Sequence, residues 1–243
     1  MVSFTNIAII VAAGKGLRMQ SKQKKQFIEL DNIPVLTRTL MAFDSHGKMN
    51  DIILVLPSED MEFCRETIVQ PFDFKTPIHF VNGGQTRQDS VFNGIVKAGE
   101  LSRSSGQESF NRTIVLIHDG VRPFIGKKLI DTCMDRAKTT GACIPGIKIM
   151  DTIKQVLDEE WISKTLDRDK FYRAQTPQVF RLDLVFKAFE YAKTTSFSGT
   201  DEASLLEHAG IPVSMTKGSE FNIKLTTRED LVIAQYLLDK FVK

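Results

Sequence analysis

The chain has few of the residues that build disulfide, metal or membrane proteins. Its three cysteines, Cys64, Cys133 and Cys143, are odd in number, far apart and outside any CxxC pair. That excludes a disulfide framework or a zinc knuckle and leads us to expect a reducing, cytoplasmic setting. The four histidines, His46, His79, His118 and His208, show no HExxH spacing. Long apolar runs are missing too. The stretch Ile7–Ala13 near the start falls far short of the roughly 20 residues of a membrane span, and no basic leader with a small-residue cleavage site precedes it. Neither charge dominates: 32 basic against 30 acidic side chains leave a formal +2. A dedicated nucleic-acid binder would carry a basic excess.

What is present is ordinary globular material, 42% hydrophobic and 26% charged over 243 residues. That is enough apolar surface to offset the entropy of ordering, in a length that suits one α/β domain, 1–243. Short Ile- and Val-rich runs at Ile7–Val11, Asp51–Leu56, Ile78–Val81 and Thr113–Ile117 predict doubly covered strands. Helix-length segments lie between them: Pro34–Phe43, with Pro34 at the first helical position; Glu59–Val69 behind an N-cap near Ser58; and Thr86–Leu101. The alternation predicts a Rossmann-like, mostly parallel sheet with helices on both faces.

The alternation breaks between about Gly146 and Gln178, where Ile147–Leu157 and Ile162–Leu166 flank an acidic tip. These two extended runs predict a hairpin arm, residues 147–173, with Trp161 near its tip. An isolated two-stranded hairpin is marginal in water, and the apolar Ile149, Ile153, Val156 and Leu166 need a partner surface, so a homodimer is expected. Ser102–Asn111 reads as a flexible surface insertion. Helices are expected at Leu182–Lys193, Asp201–His208 and Arg228–Phe241, and a short strand at Val213–Thr216; Phe186, Phe189 and Phe241 have core spacing.

The segment with most chemistry is Ala12-Ala13-Gly14-Lys15-Gly16-Leu17-Arg18-Met19, directly after the first strand. Glycines there let the backbone turn sharply and bring N–H groups to an anion. Lys15, Arg18, Lys22, Lys24 and Lys25 follow with no acid before Glu29, which suits a triphosphate at the carboxyl end of a first strand. The segment matches neither GxxxxGK[ST] nor GxGxxG, so a P-loop kinase and a dinucleotide-dependent redox enzyme are disfavoured.

Further motifs follow in order: Lys25-Gln26-Phe27, Gly83-Gly84-Gln85-Thr86-Arg87-Gln88-Asp89-Ser90-Val91, His118-Asp119-Gly120-Val121-Arg122-Pro123-Phe124, Asp151-Thr152-Ile153-Lys154, Asp167-Arg168, Gln175-Thr176-Pro177-Gln178, Thr200-Asp201-Glu202-Ala203 and Asn222-Ile223-Lys224. Together with the AAGxGxRM start, this set resembles the polyol- and sugar-phosphate cytidylyltransferases, and among them the 2-C-methyl-D-erythritol 4-phosphate cytidylyltransferase family of non-mevalonate isoprenoid synthesis. Two departures stand out: Lys24 replaces a common proline, and HDGVRP is a variant shared with ribitol-phosphate cytidylyltransferases.

The resemblance implies transfer of a cytidylyl group from CTP to a polyol phosphate, with Mg²⁺ and without nucleic acid or membrane. It implies catalytic roles for Arg18, Lys25, Arg168 and Lys224, and nucleotide contacts from Ala12, Ala13, Gly14, Gly16, Gly84, Asp89, Ser90 and Asp119. Arg122, Thr152, Arg168, Thr176, Thr200 and Lys224 would face the acceptor, Arg168 from the arm of a second subunit. Asp119 would meet the metal; a turn aspartate paired with Arg122 is the competing reading. A phosphate monoester is mostly a dianion at neutral pH, hence already nucleophilic. The chemistry therefore asks for fixed cations rather than a general base. The rival functions are cytidylyl transfer to another polyol phosphate, such as ribitol 5-phosphate, and a non-catalytic nucleotide-binding protein.

Overall fold

The computed structural model describes residues 4–14, 24–104, 110–158 and 160–241. Strands β1 (Thr5–Val11), β4 (Asp51–Leu56), β5 (Ile78–Asn82) and β6 (Thr113–Asp119) form a parallel block in the order β5-β4-β1-β6. The register is continuous: Ile9 sits opposite Ile53 on one side and Ile117 on the other. Between β1 and β4 lie a two-residue hairpin, β2 (Glu29–Leu30) and β3 (Ile33–Pro34), and helix α1 (Val35–Asp44). The hairpin turns through Asp31 and Asn32, both at positive φ, the geometry that short polar side chains tolerate best.

Beyond β6 the sheet becomes mixed. Helix α4 (Lys127–Thr140) leads into β7 (Ala142–Lys148), and β11 (Gln178–Arg181) inserts antiparallel between β6 and the start of β7. Strand β10 (Tyr172–Ala174) pairs with the other end of β7, and β12 (Ser214–Lys217) runs parallel along its far side. Four of the seven ladders of this sheet are parallel, in keeping with the expected architecture.

Alternation along the strands divides the core. Ala8 and Ile10 face α1 and α4 together with Phe43, Leu40 and Ile130. Ile7 and Ile9 face the other layer, built from α3 (Arg87–Ser104), α5 (Leu182–Thr194) and α6 (Glu202–His208). Helix α7 (Arg228–Phe241) closes a smaller cluster over Leu30, Val121 and Leu225.

Several expected boundaries shift. Pro34 ends β3 and caps α1 from outside, because its N–H-free backbone is extended there. The expected helix 59–69 is a 3-10 turn at Ser58–Asp60, a short α2 (Met61–Phe63) and a π-helical stretch Cys64–Val69, with no side-chain cap from Ser58. The expected insertion Ser102–Asn111 is helical at both ends, Ser102 being buried in α3 with its hydroxyl 2.7 Å from Thr113 and Phe110–Arg112 forming a 3-10 turn; residues 105–109 lie outside the described residues. The arm is also shorter. Ile147 and Lys148 complete β7 and pair with Arg173 and Tyr172, which leaves β8 (Ile153–Leu157) and β9 (Trp161–Leu166) as a separate two-stranded hairpin. Phe189 is buried in the second layer and Phe186 packs on the rim of that cluster, both against Phe92; the side chain of Phe241 lies outside the described residues.

Helix α3 crosses the sheet closely at Gly94, where an added Cβ would stand 2.6 Å from Ile9 Cγ2 and 3.2 Å from Val55 Cγ2. Gly94→Ala should therefore destabilise the fold by about 1–3 kcal/mol despite the better helix propensity of alanine. Urea unfolding of the two proteins checks this, and an equal or higher midpoint for the variant would refute it.

Candidate active site

The chain passes outward from β1 to β4 and β5, then returns to β6 on the other side of β1. In such sheets a crevice opens beyond the strand carboxyl ends at the reversal. A cleft of about 640 Å³ lies there, walled by the residues that follow β1, β4, β5 and β6. Ala12, Ala13 and Gly14 form one wall, Gly83–Arg87 with Ser90 another, and Lys25, Asp119 and Lys224 the floor and rim. Arg18 and Gly16 lie outside the described residues.

Each wall is fixed locally. Gln26 and Phe27 are buried beneath the 3-10 turn Lys25–Phe27; Gln26 Nε2 donates to Ala12 O at 3.0 Å, and the Phe27 ring lies 4.9 Å from that of Phe63. These anchors hold the backbone of Lys25 at the cleft. Lys24, in place of the proline of the family pattern, ties the same turn to the opposite wall through Asp60 at 2.6 Å and Glu59 at 3.6 Å. On the β5 side, Gly83 N–H donates to Leu56 O and Gly84 N–H to Ser90 Oγ. Only glycine fits at 84, since a Cβ there would stand 2.3 Å from the Cβ of Asp89. Asp89 itself does not line the cleft: its carboxylate accepts from the N–H and hydroxyl of Thr86, whose Oγ1 accepts from Asp89 N–H, so the pair caps α3.

Asp119 is the centre of the site. It is 7% exposed and surrounded by cations: Lys224 Nζ at 3.1 Å and Arg122 Nε at 3.1 Å, both on Oδ2, and Arg87 at 3.9 Å on Oδ1. Burial alone would raise its carboxyl, but Lys224, Arg122 and Arg87 outweigh that and hold it well below the ordinary carboxylate range. Arg122, expected to face the acceptor, is instead mostly buried behind Asp119, with Nη1 donating to Asn222 O at 2.8 Å. Asn222 in turn donates to Thr176 O, and Leu225 N–H to Val121 O, which fastens the Lys224 segment to the Asp119 turn.

Thr176 is also inside. Its Oγ1 accepts from the N–H of Asp119 and faces His118 Nδ1 at 3.0 Å, while His118 Nε2 donates to Arg122 O. This relay needs a neutral imidazole with the proton on Nε2 and Thr176 donating to Nδ1. Thr152, Thr200 and Arg168 do not line the cleft of their own chain: the two threonines are exposed, and Arg168 sits on the arm, its guanidinium on Met150 O. Arg87, within the Gly83–Val91 motif, is a further cleft residue whose role the sequence alone does not give. Its signal was position, the first residue of a helix behind a glycine pair.

No described cluster of three or more His, Cys, Asp or Glu side chains could enclose a metal alone. Mg²⁺ commonly takes one or two carboxylates and fills its shell with phosphate oxygens and water. Asp119, ionised and at the cleft, fits that mode.

A cation-lined crevice at the switch point of an α/β sheet, centred on one ionised carboxylate, defines a nucleotide-binding transferase of the nucleotidyltransferase class. Comparison with known proteins narrows it. The family model for 2-C-methyl-D-erythritol 4-phosphate cytidylyltransferase matches residues 6–240. Curated members from Syntrophus aciditrophicus and Bacillus licheniformis are 41% and 43% identical, over 96% and 95% of this chain and 96% and 94% of theirs. The crystal structure of a 4-diphosphocytidyl-2C-methyl-D-erythritol synthase from Anaerococcus prevotii superposes with a TM-score of 0.79 at 31% identity, covering 98% of this chain and 97% of that one. The chain belongs to the 2-C-methyl-D-erythritol 4-phosphate cytidylyltransferase family.

Burial pushes His118 down to about 4, against the pull of the Arg122 carbonyl and Asp119. The folded value lies below the unfolded 6.5, so the unfolded chain binds the extra proton between these limits. Stability is then fully present above pH 6.5 and falls by about 3 kcal/mol as the pH drops toward 4. Urea midpoints taken across this window should fall steeply for the parent and less steeply for His118→Gln. Parallel curves would show that His118 is not the group responsible.

Proposed function

We propose that this chain transfers the cytidylyl group of CTP to 2-C-methyl-D-erythritol 4-phosphate, releasing pyrophosphate and forming 4-diphosphocytidyl-2-C-methyl-D-erythritol. Beyond family membership, one observation carries the reading: Lys25, Arg87 and Lys224, from three separate segments, converge with Asp119 on one crevice. Two polyanions must meet in this reaction, and fixed cations offset their repulsion at no reorganisation cost. An acceptor phosphate oxygen attacks the α-phosphorus; the new P–O bond forms as the bond to the β-phosphate oxygen breaks, and pyrophosphate leaves with that electron pair. Lys25, with Arg18, is assigned to the charge on the α-phosphate, and Lys224, with Arg168, to the acceptor phosphate. Gly84 and Ser90 fit the nucleoside end. Mg²⁺ held by Asp119 would mask charge on the triphosphate when bound. The chain's own part is to keep Asp119 ionised and aimed, through the three cations and the Thr176–His118 relay.

Three buried free cysteines suit a reducing, cytoplasmic setting, and no described helix is long and apolar enough to cross a membrane. The HDGVRP variant keeps ribitol 5-phosphate as the acceptor to compare. Pyrophosphate release should be greatest with CTP and 2-C-methyl-D-erythritol 4-phosphate in a matrix of four nucleotides and both polyol phosphates. EDTA should abolish it and Mg²⁺ restore it. A preference for UTP would overturn the nucleotide assignment, and a preference for ribitol 5-phosphate the acceptor.

We assign the working form as a homodimer whose arm, residues 149–171, reaches the partner's cleft. Among the described residues the β8–β9 hairpin pairs with no other strand, and it carries Leu157, Trp161 and Ile162 at 56%, 72% and 62% exposure, a patch that calls for a cover. Arg168 then serves the cleft that holds Lys25 of the other subunit. Lys25→Ala and Arg168→Ala, each inactive alone, should recover activity when refolded together, because a mixed dimer has one intact site. Random reassortment gives roughly a quarter of parental activity. Verified mixed dimers as inactive as the single variants would place Arg168 in cis.

A further inference from the structure

The Thr200-Asp201-Glu202-Ala203 motif leaves one group unexplained by the reaction, the side chain of Glu202. It is 1% exposed, at the start of α6 behind the capping residue Asp201, and it faces a residue 115 positions away in sequence: Arg87 Nη1 and Nη2 meet its two carboxylate oxygens at 2.5 and 3.3 Å. This end-on contact uses two of the five guanidinium N–H groups. Nη2 also lies 3.9 Å from Asp119 Oδ1, and the Arg87 side chain is 38% exposed on the cleft wall, with Lys224 on the other oxygen of the same carboxylate.

We propose that Glu202 is a positioning residue that holds Arg87 with its free N–H groups toward the phosphates brought together at Asp119. The inference deepens the proposed cytidylyl transfer and rests on it for the identity of those phosphates. An arginine on a loop-to-helix junction has several rotamers. A buried carboxylate gripping both terminal nitrogens leaves one, which is what electrostatic preorganisation requires. The geometry also explains why the carboxylate lies below the wall rather than in the cleft, where it would repel substrate. Neighbouring Asp201 is occupied otherwise, capping α6 through Ser204 and accepting from Gln178.

The shared chemistry is a phosphate oxyanion, supplied by the nucleotide or by the acceptor. Kinetics and titration calorimetry with CTP and with 2-C-methyl-D-erythritol 4-phosphate, each in turn, distinguish the sources for Glu202→Gln, Arg87→Lys and the double variant. Glu202→Gln keeps the volume and one hydrogen bond, and its melting curve checks that the fold survives; Glu202→Asp keeps the charge but withdraws it by one methylene, for use if it does not. Each single change should lower kcat/KM, or the affinity for one of the two substrates, by about 10- to 100-fold. The double variant should be no worse than Arg87→Lys, because Glu202 acts only through Arg87. Multiplying effects, or a Glu202→Gln protein with parental kinetics and affinities, would overturn the proposal. A parent that binds CTP but transfers nothing to the polyol phosphate would defeat the proposed reaction instead, and the binding pattern of the variants would still decide the role of Glu202.

Discussion

The site depends on keeping one carboxylate ionised where burial opposes it. Asp119 closes β6 at the carboxyl edge of the sheet, nearly out of contact with water. An unpaired charge there would cost several kcal/mol, and removing a single partner from such a pair is strongly destabilising. Three cations compensate, from a helix start, a turn and a C-terminal segment: Arg87, Arg122 and Lys224. The need to supply that charge fixes where those three chain segments run. The segment around Asn222 and the turn at Val121 are joined by hydrogen bonds because Lys224 must stay within reach of Asp119.

The same constraint divides the polar residues of the motifs into two kinds of work. Lys25, Arg87 and Lys224 line the cleft, while Arg122, Thr176 and His118 form a support behind Asp119. His118 contributes by remaining neutral: burial disfavours its charged form, and the nearby Arg122 and Lys224 add to that. The first group comes from Lys25-Gln26-Phe27, Gly83–Val91 and Asn222-Ile223-Lys224 and the second from His118–Phe124 and Gln175–Gln178, and sequence spacing alone does not show which motif does which work. Arg122 lies three residues from Asp119, which is compatible with a side chain turned back onto it or out toward a ligand; the backbone bond from Arg122 N–H to Asp119 O resolves the ambiguity by folding the turn inward.

The parallel half of the fold is legible because β1, β4 and β6 are buried on both faces and read as runs of Ile, Val and Leu; β5, expected to be doubly covered, is instead the half-buried edge strand. Asp51–Leu56 and Arg228–Phe241 fall where the pattern puts them. Strands β7, β10 and β11 were missed for a physical reason. β10 and β11 are only three and four residues long, the seven-residue β7 contains Pro145 and Gly146, and all three are defined by pairing with distant partners rather than by local periodicity. The irregular turn at 58–69 was misread as one helix for the converse reason: its apolar spacing is helical, but three hydrogen-bond patterns succeed one another along it. In the cleft, Ala12, Ala13, Gly14, Lys25, Gly84, Ser90, Asp119 and Lys224 converge as the motif order implied. Arg87 went unassigned because its importance comes from Glu202, 115 positions later, and that contact exists only once α3 and α6 share a layer.

That shared layer links stability to chemistry. Helix α3 rests on the sheet at Gly94 with no room for a methyl group, so its axis is fixed relative to Ile9 and Val55. Its first residue is Arg87, and its N-terminal cap is the Thr86–Asp89 pair beneath Gly84. Helix α6 packs on α5 in the same layer, and Gln178 of β11 holds its N-terminus from both sides, donating to Asp201 and accepting from Ala203 N–H. The separation between Arg87 and Glu202 is therefore set by two helices docked on one sheet rather than by loop conformation. A shift of either helix of even 1 Å would open the end-on contact and leave a buried carboxylate unpaired, so the packing of this face and the charge pattern in the cleft stand or fall together.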